Sequence, residues 1–145
     1  MGLPVKIADL APRLATGAYI LNSGLEKRAA DEGHAKGLHG MASGTYPFLG
    51  KVEPTTFVKL LAGGEIALGA ALLTPVVPTA LAGAALTAFS AGLLGMYLKT
   101  PGMRKDGSLA PTQQGIGIAK DVWMLGIGLG FVSDAAVRRR AAKRG

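Results

Sequence analysis

The chain has 145 residues and a mass of 14.7 kDa, enough for one domain. Apolar residues make up 49% and charged residues 17%, against about 25% charge in an ordinary soluble domain. This balance, with a mean hydropathy of +0.34, excludes a disordered chain and argues against a conventional soluble globule. The sequence has no cysteine, which excludes disulfides, thiol redox chemistry and thiolate metal sites.

A bilayer core of about 30 Å takes roughly 20 helical residues, and four segments approach that length. The first spans about 7–28, with Pro12 in its early turns and Arg13 positioned to snorkel toward the nearer interface. No cleavable leader is expected, because Lys6, Asp9 and Arg13 interrupt this segment and no A-x-A-like site follows it. Residues 29–53 form a connection longer than helix packing needs, read as a functional or mobile loop with an aromatic interfacial turn at Tyr46-Pro47-Phe48. The second segment spans about 55–73, after Pro54 at a helix start.

From Ile66 to Leu98 there are 33 residues without a charge, broken by the turn Thr74-Pro75-Val76-Val77-Pro78. A third segment therefore spans about 79–98 and forms an antiparallel hairpin with the second. The fourth spans about 111–133 and carries Gly126-x-x-x-Gly130, a spacing that allows close helix packing.

The net charge of +7 is concentrated in a basic tail, residues 134–145, containing Arg138, Arg139, Arg140, Lys143 and Arg144. Next to an apolar helix this tail reads as a cytoplasmic anchor facing anionic headgroups, not as a nucleic-acid arm. The expectation is an all-α integral membrane four-helix bundle in the bacterial plasma membrane, with both termini on the cytoplasmic side.

The chemically informative residues are charges within spans, which are costly there and normally face a partner or a cavity. Asn22 and Glu26 share a helix face four residues apart; Lys59, Lys120 and Asp121 fall in the same outer half, and Glu65 lies near the midplane. These six residues form the candidate polar cluster or ligand site. Glu65 is read either as half of a structural ion pair, with Lys120 as the named partner, or as part of a proton, quinone or small-ligand site. His34 and His39 are read as solvated loop residues, since their spacing of five does not suit a helical metal site. Trp123 is read as a packing residue. No metal site, phosphate loop or nucleophile elbow is present.

The run Arg13-Leu14-Ala15-Thr16-Gly17-Ala18-Tyr19-Ile20-Leu21-Asn22-Ser23-Gly24-Leu25-Glu26-Lys27 resembles the first helix of DoxX-like membrane proteins. Gly63-Gly64-Glu65-Ile66-Ala67-Leu68-Gly69 resembles their second helix, and Lys120-Asp121 the Lys-Asp pair early in their last helix. The resemblance implies a small four-helix bundle working beside redox or respiratory proteins. The expected function is therefore a non-enzymatic accessory or scaffold subunit of a membrane complex, or a homo-oligomer, surrounded by membrane lipids and without a resident cofactor. The alternative is a membrane oxidoreductase or small-molecule binder using the polar cluster, with quinone as its ligand.

Overall fold

The computed structural model describes residues 5–145. Helix α1 covers Ile7–Arg28 and α2 covers Glu32–Thr45, followed by a short 3-10 turn at Pro47–Lys51. Helix α3 covers Pro54–Leu73, α4 Thr79–Lys99, α5 Ile116–Ala119 and α6 Asp121–Arg144; there is no strand among the described residues. Three stretches are long and apolar enough to cross a membrane: Pro54–Leu73, Thr79–Lys99 and Ile116–Arg144. Helix α1 has the length, but Asp9, Arg13, Glu26, Lys27 and Arg28 keep it less apolar.

Close approach of backbones decides which helices pair. Along α1 and α3, a Cβ built on Gly69 would lie 2.7 Å from the Leu21 nitrogen, and one on Gly24 2.9 Å from the Ile66 nitrogen. Along α4 and α6, a Cβ on Gly83 would lie 2.6 Å from Phe131 Cβ, and one on Gly128 2.9 Å from the Thr87 nitrogen. Small residues at such contacts replace a hydrophobic driving force that lipid does not supply. Gly126 and Gly130 have nothing within 4 Å. The close-packing glycine of α6 is therefore Gly128, which points away from the Gly126-x-x-x-Gly130 face named from spacing alone.

The result is two tight antiparallel pairs, α1 with α3 and α4 with α6, while the α3–α4 hairpin itself packs more loosely. Ile20, Leu68, Leu72, Ala82, Leu86, Met124 and Phe131 join the two pairs in one core. At one end Lys6 Nζ meets Asp134 Oδ2 at 2.8 Å.

Three sequence expectations change at this level. Residues 29–53 are mostly helical. Asp31 caps α2 by accepting from the His34 amide at 2.7 Å, and Ala35 and Ala42 are buried against the main helices. The basic tail continues α6 to Arg144, so the last helix begins at Asp121, after the short α5, and ends well beyond 133. Trp123 is 72% exposed and packs into no core.

Arg13 does not snorkel; it is 1% exposed. Its guanidinium donates to the carbonyls of Ala71, Leu72, Thr74 and Val77 and to Thr79 Oγ1, at 2.8–2.9 Å. These are the free carbonyls at the end of α3 and in the hairpin turn, which no intrahelical bond can satisfy. A planar fork of five donors matches that set as a lysine ammonium cannot. Arg13 thus ties α1 to the hairpin and supplies hydrogen bonds that water does not supply in lipid.

Candidate functional site

At the opposite end the two helix pairs splay, and α2 covers the gap. The cavity between them has a volume of about 190 Å³ and is lined by all the helices. Its walls are largely apolar, including Phe57, Leu61, Phe89, Leu93 and Met96. Three ionisable side chains reach it: Lys27 from α1, Glu65 from α3 and Asp121 from α6.

Glu65 sits roughly 16 Å along α3 from its start, by the rise of 1.5 Å per residue. It is 2% exposed. Lys27 Nζ lies 3.0 Å from its Oε1 and 3.2 Å from its Oε2, and also donates to Ser23 Oγ at 2.7 Å. The carboxylate is therefore paired by two contacts, as a buried charge requires. Lys27, the last but one residue of α1, carries this contact, and Lys120 does not take part. Lys120 turns outward instead, with its ammonium 4.6 Å from the centre of the Tyr19 ring.

Asp121 opens α6 directly after a break in the helix at Lys120, where the Trp123 amide bonds to the Lys120 carbonyl at 3.0 Å in 3-10 fashion. Irregular backbone of this kind is tolerated at membrane depth where it lines a cavity. The Asp121 residue is 5% exposed. Its carboxylate makes no hydrogen bond and no ion pair among the described residues. Tyr19, Asp121 and Met124 also line a second, apolar groove of about 240 Å³ between α1 and α6, with Ala15, Trp123 and Ile127 on its other walls.

Of the six candidate residues, the structure brings Glu65 and Asp121 to one cavity and leaves Lys120 at its outer edge. The other three lie elsewhere. Asn22 and Glu26 are exposed and bond to each other at 3.2 Å, and Lys59 is exposed on α3. Their helix-end positions place them at the right height but on outward faces. His34 is exposed on α2, whereas His39 Nε2 lies 2.8 Å from the Leu49 carbonyl and its ring meets Phe57 edge-on at 5.6 Å. His39 therefore holds α2 over the cavity and is not a solvated loop residue. There is no cluster of metal-ligating side chains among the described residues.

Chemically, the cavity can hold a small, largely apolar molecule against one satisfied acid and one acid that lacks a partner. No family model, curated protein or solved structure matches the chain.

Proposed function

We propose that the protein is an intramembrane binding protein for a small molecule of about one ring in size, held in the cavity between the two helix pairs. The observation that carries this reading is a partly open cavity, about 190 Å³, that combines apolar walls with buried ionisable groups. A dry engineered cavity of about 150 Å³ already holds benzene, so a single substituted ring fits. Concave apolar sites with a few placed polar groups are the usual form of ligand sites.

The membrane placement belongs to the same proposal. Helix α1 is the fourth span beside the three apolar ones, its charges tolerated because Arg13 and Lys27 turn inward. Both termini lie in the cytoplasm of a bacterial cell, with the exposed Arg138, Arg139, Arg140, Lys143 and Arg144 at the headgroups. The resemblance to DoxX-like proteins supports this arrangement, since Lys27, Glu65 and Asp121 all fall within the motifs that carry it. A quinone head is one ring in size, so a redox role for the cavity is the form of this reading nearest to the resemblance.

A second reading, an accessory subunit of a membrane complex, is supported by a different surface. Gly126 and Gly130 lie open on α6, beside the exposed Trp123. That face suits a neighbouring helix.

A mass-spectrometric inventory of the protein purified in mild detergent tests the binding reading. The parent is expected to carry one small compound that Leu61→Trp, which fills the cavity, loses while keeping its fold. Identical inventories from the two proteins would overturn it, and a stoichiometric protein partner lost on Gly126→Leu would favour the second reading.

A further inference from the structure

The inner cavity holds one cation and two acids, and the cation is already committed. Lys27 spends its donors on Glu65 and Ser23. Lys120, the neighbour of Asp121 in sequence, is drawn onto the outer face of the Tyr19 ring. Asp121, a residue that is 5% exposed, therefore keeps a carboxylate with no hydrogen-bond or ion-pair partner among the described residues. A buried charge in an apolar setting is either neutralised or paired, and no described side chain lies within ion-pair distance of Asp121.

The position of Asp121 adds a direction. It stands in the wall shared by the inner cavity and the groove between α1 and α6, together with Tyr19 and Met124. The groove is apolar apart from Lys120 and Asp121 and runs beside the exposed Trp123. Asp121 thus stands between the groove and the cavity.

We propose that the occupant of the cavity is a lipophilic amine, a single ring or compact alkyl group bearing an ammonium, whose counter-charge is Asp121. The ammonium supplies the missing partner of the carboxylate and brings the cavity to charge balance. Phe57, Phe89 and Tyr19 offer aromatic faces that favour a cation over a neutral group. The alternatives fit an ionised Asp121 less well: an anion would add to the acidic excess, and a quinone offers only acceptors, which a carboxylate cannot serve. This inference rests on reading the cavity as a ligand site.

Calorimetric titration of the full-length protein in phosphatidylcholine nanodiscs tests it, with empty discs as the blank and benzylamine, benzyl alcohol and benzoate as probes. Benzylamine should bind the parent more tightly than benzyl alcohol, and benzoate should not bind. Asp121→Asn should weaken benzylamine by about 30-fold or more, the loss that follows removal of one partner of a buried charge pair. Its melting temperature should be at least that of the parent, since an unpaired charge is removed, so the lost affinity cannot come from misfolding. Benzyl alcohol binding as tightly as benzylamine would overturn the amine inference and leave the cavity reading standing; this comparison uses the parent alone and does not depend on the variant folding. Equal benzylamine affinity in parent and Asp121→Asn would overturn it too. If none of the three probes binds the parent, both readings fall.

Discussion

Replacing Lys27 by leucine is expected to be among the most damaging single changes near the cavity, because of what it leaves behind. Glu65 is 2% exposed and, among the described residues, has no cation other than Lys27 in contact. Removing one partner of a buried pair costs about 3–5 kcal/mol, and Lys27→Leu should fall in that range. The reverse change, Glu65→Leu, should cost less. The Lys27 side chain is partly exposed and keeps Ser23 as a hydrogen-bond acceptor, so about 1–2 kcal/mol is expected, the cost of a charged hydrogen bond lost where water can compensate. The double variant Lys27→Leu, Glu65→Leu should cost only about 1–2 kcal/mol, giving a coupling energy of about 3–5 kcal/mol, at or above the upper end for residues in direct contact. Reversible denaturant unfolding in mild detergent, followed by circular dichroism, measures all three. Additive losses would refute the pairing, as would a Lys27→Leu protein as stable as the parent. The same cycle with Lys120→Leu should show no coupling to Glu65.

Gly128→Ala should destabilise by about 1–3 kcal/mol through overpacking, since its Cβ would lie 2.5 Å from Thr87 Oγ1; Gly126→Ala should stay within about 0.5 kcal/mol of the parent, measured by the same unfolding. Arg13→Ala should cost about 3 kcal/mol or more by leaving buried carbonyls unmet. Arg13→Lys should recover only part of this, because an ammonium cannot serve the same five acceptors, and melting curves in detergent separate the three proteins. A cysteine placed at Val76, which is exposed in the hairpin turn, should react with a membrane-impermeant thiol reagent from the cytoplasmic side only. One placed at Thr79, buried against Arg13, should react far more slowly.

The helices were legible where composition dominates. The uncharged run and its two prolines mark α3, the turn and α4 without ambiguity. Helix α2 was missed because Gly33, Gly37, Gly40 and Gly44 resemble a loop, although Ala35, Leu38 and Ala42 carry a helical period beneath them. The burial of Glu65 followed from depth alone, whereas its partner did not. Lys27 stands at the end of α1, outside the charges within spans from which the candidate cluster is drawn. Glycine pairs held the missing information: Gly17 and Gly24 are seven apart, as are Ala62 and Gly69. Matching them antiparallel sets Glu65 level with Leu21, and the long Lys27 side chain reaches back past Ser23 to meet it. Lys120 cannot take that place, because Gly83 and Gly128 commit α6 to α4 instead of α3. Arg13 was misread for a similar reason. Its depth near a helix start suits snorkelling, and only the packing of α1 against the hairpin turn reveals five acceptors waiting for it.

The most direct test of the central claim is a high-resolution structure of the protein purified from its own membrane without added ligand. The account predicts one compact, non-lipid molecule between Glu65 and Asp121, with a polar atom within about 3 Å of the Asp121 carboxylate, and the Lys27–Glu65 pair intact. A cavity collapsed by inward rotation of Phe57 or Phe89, or one holding only water, would contradict it.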